Sequence, residues 1–331
     1  MKKPFVSIIV PSRDSEKTID KLLNSLFSLN HPKGKYEVIV VDSSRDKTSE
    51  IVKKYPAKLF KIPRTKGRNI SVASNAGIKA SKGEFLAFVD SDCFVGKNWL
   101  NDLLGSFSSR DIACAGGKVI TTGNIFDKYV QSAYKSPTRD VNKEYVTDSS
   151  NFHKRMWPLG SNFMARKVVI NEVRHFDERL RFYEEVDLFW RICKRGYKLL
   201  LIPNAKVKHS YRRSFLGMFN TYVRYGMGCG HFCKKYTGSK FAKIRLLLLI
   251  GILVFYSFFA IGILPVFSKS LLNYFILLPI VFYLYLFSYY FSKKQGKFSL
   301  LFPFLDFTFC GIAYILGMIY SLIKPAKSPV K

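Results

Sequence analysis

The chain has 331 residues, and its 53 Lys and Arg against 23 Asp and Glu give a formal net charge of +30. Nucleic-acid-binding proteins can carry such a charge, but here aromatic residues make up 16% of the chain and crowd into its last third, where charges are few. This uneven distribution argues against a simple soluble nucleic-acid binder and predicts two regions of different character.

The N-terminal region alternates short apolar runs with amphipathic helical patterns. The apolar runs cover 5–10, 36–42, 57–63 and 83–90, and the helical patterns cover about 16–29, 47–55 and 70–80. This alternation predicts an α/β fold with right-handed crossovers and a buried, largely parallel sheet. Ligands of such sheets bind beyond the carboxyl ends of the strands. Asp42 and Asp90 stand at two of these ends.

Two carboxylates, Asp90 and Asp92, flank a serine where the fourth apolar run ends. Across a turn, both can reach one hard cation bound to phosphate oxygens. The alternative interpretation is an ordinary turn after a strand, where Asp and Ser are common. The chain has neither G-x-x-x-x-G-K-[ST] nor G-x-G-x-x-G after its first strand, which argues against P-loop proteins and dinucleotide dehydrogenases.

A second group of polar residues lies between 176 and 210. A helix is predicted from about 184 to 195, with Glu184, Glu185 and Asp187 at its start. Acids in a first turn interact favourably with the helix dipole, and in a cleft, like charges can also raise a carboxyl pKa toward a value useful for proton abstraction. His209 ends the apolar pattern of 198–209. It is interpreted either as a metal ligand or as a surface or packing residue.

The C-terminal region contains three long apolar stretches. No charged residue lies in 246–267 or 270–292, and 298–323 contains only Asp306. About 20 apolar residues suffice for a membrane helix, so all three stretches are predicted spans. Pro303 and Asp306 interrupt the third, and the alternative for it is a position partly in the membrane interface. Cations before the first span and between the second and third predict a cytoplasmic N-terminal domain.

These patterns predict three parts: a catalytic domain at 1–213, an amphipathic interfacial segment at 214–243 and a transmembrane region at 244–331. The six cysteines form no disulfide framework, which suits a reducing compartment. The run "CGHFC" at 229–233 is interpreted as packing residues, because a closed zinc site needs four ligands.

The order of these motifs resembles the family 2 inverting glycosyltransferases with a GT-A fold, over roughly residues 5–215. The resemblance rests on "VSIIVPSRDSEKTI", "VIVVDSSRDKT", "NAGIKASKGEFLAFVDSD", "WPLGSNFMARKVV" and "YEEVDLFWRICKRGYKLLLIPNAKVKH". It implies a GT-A Rossmann-like mixed sheet followed by the membrane region, and single-displacement sugar transfer from a nucleotide diphosphate sugar. The QxxRW motif of processive synthases is absent, which argues against a polymerase.

The resemblance also implies where the donor and its metal ion bind. Pro11 and Asp42 would flank the base and ribose, and Asp90 would contact the ribose or the metal. Asp92 and His209 would hold Mn²⁺ or Mg²⁺ on the diphosphate. Many relatives have Arg before the Asn of the "VASNAG" segment, and Lys66 or Arg68 is expected to supply that cation here.

For the acceptor side, the resemblance implies Glu185 as the general base. Glu185 stands where the family has Asp, which leaves Glu184 and Asp187 as alternatives. Gly160, Ser161 and Asn162 would lie beside the acceptor.

We therefore expect a multi-pass cell-membrane enzyme with a cytoplasmic site, using a UDP- or GDP-type donor and a polyisoprenoid phosphate- or diphosphate-linked acceptor. Another cell-surface polysaccharide is the alternative acceptor. The non-catalytic alternatives are a cationic module that binds nucleic acid or anionic lipid, and a pseudoenzyme scaffold of the same fold. The first of these leaves the acids at the strand ends unexplained, so no nucleic-acid partner is expected.

Overall fold

A computed structural model describes residues 4–64, 70–121, 141–209, 214–263, 284–285, 288 and 309–324. These residues fall into two units that divide near residue 213. The first unit contains the strands and the predicted site residues, and the second contains three helices.

A mixed sheet of eight strands forms the centre of the first unit. Its spatial order is β3-β2-β1-β4-β9-β6-β10-β8. The strands are β1 (Val6–Ser12), β2 (Tyr36–Asp42), β3 (Lys58–Lys61), β4 (Phe85–Val89), β6 (Ile112–Gly116), β8 (Tyr145–Thr147), β9 (Asn162–Arg166) and β10 (Lys198–Leu201). The strands β1 to β4 run parallel, whereas β9 is antiparallel to both β4 and β6. The α/β prediction is confirmed, and β9 makes the sheet mixed.

A second sheet of three strands lies beside the ends of the first. It consists of β5 (Cys93–Val95), β11 (Val207–His209) and β7 (Val119–Thr121), in that order. The single apolar pattern predicted over 198–209 is divided here between two sheets. Pro203 interrupts the pattern and has no backbone N–H for a ladder, so the chain turns between β10 and β11.

Six α-helices are present in the described part of the first unit. They are α1 (Ile19–Phe27), α2 (Thr48–Val52), α3 (Ile70–Ala80), α4 (Trp99–Gly105), α5 (Lys167–Glu172) and α6 (Glu184–Lys194). The apolar side of α1, with Leu22, Leu23 and Leu26, is fully buried and shares one core with the side chains of β1, β2 and β4. This core holds the central strands between packed helices. Because β1, β2 and β4 run parallel, their carboxyl ends meet at one edge of the sheet.

The second unit contains α7 (Phe215–Lys235), α8 (Lys240–Ile263) and α9 (Gly311–Ile323). Helices α7 and α9 approach closely at glycines: Gly226 and Gly230 lie against the α9 backbone, and Gly317 lies against the carbonyl of Val223. Small residues of this kind let helix backbones come into contact.

Several large apolar side chains of the second unit are exposed, among them Leu247, Leu248 and Ile250 of α8 and Leu316 and Ile323 of α9. Among the described residues, no helix combines the length and apolar character needed to cross a membrane. The first predicted span, 246–267, falls mostly on α8. Most of 270–292 and the first part of 298–323 lie outside the described residues.

The junction of the two sheets makes a prediction about Gly117. A Cβ at this position would collide with the carbonyl of Ala205, and backbone on both sides limits relaxation. We expect Gly117→Ala to destabilise the first unit by about 1–3 kcal/mol, the usual cost of overpacking, which lowers Tm by roughly 2–12 °C.

Thermal unfolding measures this effect, with Gly34→Ala as the matched control because nothing lies within 4 Å of a Cβ added there. Equal Tm values for the two variants would contradict the close approach at Gly117.

Candidate active site

Asp92 and His209 meet where the two sheets join. Asp92 lies in the turn between β4 and β5, and His209 ends β11. His209 Nε2 is 2.8 Å from Asp92 Oδ1, and the His209 side chain is 4% exposed against 30% for Asp92. The pairing of β11 with β5 places these residues together although they are far apart in sequence.

These two side chains and Cys93 form a group whose possible ligand atoms lie within 4.8 Å of one another. The carboxylate of Asp92 suits Mn²⁺ or Mg²⁺, and a neutral imidazole such as that of His209 is a common metal ligand, so both side chains could contribute to the predicted site. Asp90 is not a member of this group. Cys93 was not predicted, although it directly follows the D-x-D pattern. Burial, and then the charges of Asp90 and Asp92, raise the pKa of its thiol well above the usual value.

A cleft of about 700 Å³ extends from Asp92 across the amino end of α1. Its walls carry four cations, Arg13, Lys17, Arg45 and Arg64, and four acids, Asp14, Glu16, Asp46 and Asp92. Arg64 donates to Asp14 Oδ1 at 2.7 Å. That hydrogen bond is the largest cause of a lowered pKa at Asp14. Guanidinium groups bind phosphate oxygens well, so this cleft can accept a diphosphate. These arginines lie in or near the quoted motifs, but sequence reasoning did not select them.

Asp42 ends β2 and is 2% exposed. Its carboxylate accepts hydrogen bonds from the backbone N–H of Ser44 at 3.1 Å and from Ser49 Oγ at 2.6 Å. It therefore shapes the turn that follows β2. Pro11 lies on the neighbouring strand, paired with Val41. Contact of Pro11 and Asp42 with a nucleotide stays a prediction.

Glu185 lies in the first turn of α6, after Tyr183, whose φ of 64° is in the left-handed region. Burial, and secondarily the charge of Asp90, raise the pKa of Glu185 to about 7. A Cβ on Gly160 would be 3.6–3.7 Å from side-chain carbons of Glu185. The end of β4, the Gly160 segment and the start of α6 therefore converge on one place.

Asp187 has a different environment from Glu185. It is 1% exposed, and it accepts a hydrogen bond from Arg191 Nε at 2.8 Å. Arg191 also donates to the carbonyls of His175 and Val173. Asp187 thus fixes the helix against the preceding segment, and this role makes it the weaker candidate for a base. Glu184 is buried at 9% exposure.

Asn162 is fully buried, and its amide is used inside the protein. Its Oδ1 accepts from Trp99 Nε1 at 2.8 Å, and its Nδ2 donates to the carbonyls of Ala205 at 2.8 Å and Lys118 at 3.2 Å. These bonds connect β9 to α4 and to the segment before β11. The geometry gives Asn162 a positioning role, and within this segment Gly160 lies against Glu185, whereas the acceptor-side role of Ser161 stays a prediction.

Lys66 and Arg68 are outside the described residues. Asp90 follows the last residue of β4 and is only partly buried, and its charge acts on both Cys93 and Glu185. Asp90 is therefore placed between the predicted donor side and the predicted acceptor side.

Comparisons with known proteins identify the family of the chain. Residues 7–174 match the family described as "Glycosyl transferase family 2". The glycosyltransferase AglE of Haloferax volcanii is 29% identical over 233 residues, which are 68% of this chain and 73% of AglE. A Methanococcus voltae protein is 24% identical over 246 residues, 70% of this chain and 74% of its own. Its name is dolichyl N-acetyl-alpha-D-glucosaminyl phosphate 3-beta-D-2,3-diacetamido-2,3-dideoxy-beta-D-glucuronosyltransferase.

The fold is also similar to that of a solved structure. The mannosyltransferase PcManGT from Pyrobaculum calidifontis, in complex with GDP-Man and Mn²⁺, superimposes with a TM-score of 0.63 at 15% identity. The match covers 93% of this chain and 88% of that one. At this identity the similarity concerns the fold alone.

The hydrogen bonds of Asn162 lead to a prediction about stability. Asn162→Ala leaves the indole N–H of Trp99 without its acceptor and removes two donors, so we expect a loss of roughly 2–4 kcal/mol, since each buried polar group left unsatisfied costs about 1–3 kcal/mol. Chemical denaturation measures the loss. Asn24→Ala is the control, because Asn24 makes an exposed hydrogen bond to Asp20. A loss no larger than that of the control would contradict the positioning role.

Proposed function

Because the chain belongs to glycosyl transferase family 2, we propose that it transfers a sugar from a UDP- or GDP-type donor to a polyisoprenoid phosphate- or diphosphate-linked acceptor at a membrane. The observation that carries this proposal is the convergence of Asp90, Glu185 and Gly160 beside the Asp92–His209 pair. That the chain is a glycosyltransferase follows from its family and its named relatives. The lipid acceptor and the membrane are our proposal.

The donor binds along the arginine-lined cleft in this proposal. Arg13, Arg45 and Arg64 face the diphosphate, while Pro11 and Asp42 lie toward the base and ribose. Asp92 and His209 hold Mn²⁺ or Mg²⁺, which stabilises the charge that develops on the departing diphosphate. The complex of PcManGT with GDP-Man and Mn²⁺ supports this choice of donor and ion through the shared fold.

Glu185 acts on the acceptor. Its carboxylate accepts the proton of an acceptor hydroxyl, and the hydroxyl oxygen attacks the anomeric carbon from the face opposite the diphosphate. The new bond therefore has inverted anomeric configuration. Proximity of the two substrates in the pocket supplies much of the remaining rate. A phosphate acceptor needs no such base, because a phosphate group is already ionised at neutral pH.

The membrane part of the proposal rests on two features. The sequence has uncharged stretches at 246–267 and 270–292, and the described helices α8 and α9 expose large apolar side chains. Cations near these segments are attracted to anionic headgroups by about 1 kcal/mol each. The dolichyl substrate in the name of the Methanococcus voltae relative supports a lipid-linked acceptor.

Replacing the base tests the acceptor chemistry. We expect Glu185→Gln to lower kcat about 100- to 10,000-fold, the usual contribution of a general base, because the amide cannot accept the proton. Binding of UDP or GDP with Mn²⁺, measured by titration calorimetry, should stay unchanged. Glu184→Gln is the matched control on the same helical turn. Full activity of Glu185→Gln would exclude a hydroxyl acceptor with this base, and a loss confined to Glu184→Gln would move the role to Glu184.

The pKa of Glu185 predicts the pH dependence of transfer. The carboxyl group is protonated below a pKa of about 7 and is then no base, so kcat/KM should rise with pH through this value and level off above it. Asp90→Asn removes a charge that raises this pKa, so the rise should move to lower pH. A kcat/KM profile over pH 5–9 measures both effects, and an unmoved profile in Asp90→Asn would contradict the coupling.

A further inference from the structure

The metal-binding pair of this site has a sulfur neighbour. Cys93 directly follows Asp92 in the sequence. In the antiparallel pairing of β5 with β11 it is the direct partner of His209. Directly opposed residues in such a ladder present their side chains on the same face. The ligand atoms of Asp92, Cys93 and His209 consequently lie within 4.8 Å of one another.

The chemistry of this trio differs from that of the carboxylate pair alone. Mn²⁺ and Mg²⁺ prefer oxygen ligands, whereas a thiolate and an imidazole select Zn²⁺ and ions like it. Asp92, Cys93 and His209 supply one oxygen, one sulfur and one nitrogen. Zinc is commonly bound by three protein ligands, with the fourth position open to water or phosphate.

The burial of Cys93 and His209 favours an ion site over a chance proximity of side chains at the surface. Cys93 is 1% exposed and the His209 residue 3%, so neither side chain needs to leave water to reach an ion. Asp92 is 30% exposed and lines the arginine-lined cleft described above. An ion held by the trio would therefore be enclosed on its protein side and open toward the place proposed for the diphosphate.

We propose that Asp92, Cys93 and His209 form a site for a thiophilic divalent ion, Zn²⁺ or Cd²⁺, which excludes the catalytic Mn²⁺ or Mg²⁺ and inhibits transfer. The inhibition rests on the proposed function, whereas the binding site does not. When the ion binds, the Cys93 thiol loses its proton to solvent and the sulfur forms the new bond to the metal. No electron is transferred in this step.

Spectroscopy of the full chain tests the site without any assay of activity. We expect addition of Cd²⁺ to the metal-free protein to produce an ultraviolet thiolate-to-metal absorption band that saturates at one equivalent. The band should be absent in Cys93→Ser and Cys93→Ala. The affinity for Zn²⁺, measured by competition with a chelating dye, should fall at least tenfold in both variants, while Mn²⁺ binding measured by electron paramagnetic resonance stays within twofold.

The controls separate ligation from folding. Cys114→Ser removes another fully buried cysteine outside the trio and should keep the band. Two replacements are used because Ser adds a buried hydroxyl whereas Ala leaves a small cavity, and thermal unfolding identifies whichever variant folds.

An unchanged Cd²⁺ band or Zn²⁺ affinity without the Cys93 sulfur would overturn the proposal, and so would an equal loss of Mn²⁺ and Zn²⁺ binding. Failure to transfer any sugar would reject the proposed function and leave the spectroscopic result standing.

Discussion

The arrangement of the site depends on the hydrogen bonds made by the buried side-chain amide of Asn162. Asn162 pairs in the sheet with Val89, the residue before Asp90, and its side chain donates to the carbonyl of Ala205, shortly before β11. One residue thus sets the position of the metal-binding turn relative to the strand that ends in His209. Hydrogen bonds in a dry interior are strong and costly to break, so this spacing is rigid.

The electrostatics of the site divide along the same junction. Three arginines, Arg13, Arg45 and Arg64, face the cleft on one side of Asp92. On the other side, burial and secondarily the charge of Asp90 raise the pKa of Glu185. A single displacement requires groups that bind phosphate toward the proposed donor and a proton-accepting group toward the proposed acceptor.

Much of this could be predicted from the sequence because the relevant patterns are local. Strand and helix periodicity predicts the alternation of the first unit, and acids at a strand end and a helix start mark Asp90 and the group of Glu184, Glu185 and Asp187. The family resemblance then favours Glu185 within that group and assigns Asn162 to the acceptor side. The structure gives it a positioning role instead, because a motif records a residue type at a place in the chain and not where its amide points.

By itself, the sequence determined the α/β class, the family resemblance and the acids that carry the proposed chemistry, since each is written in short runs of residues. Only the tertiary structure decided that β10 and β11 belong to different sheets, that Asp187 pairs with Arg191 and that Cys93 lies against His209. These outcomes depend on contacts between residues far apart in the chain, whose free energies become available only when the sheets and helices pack together.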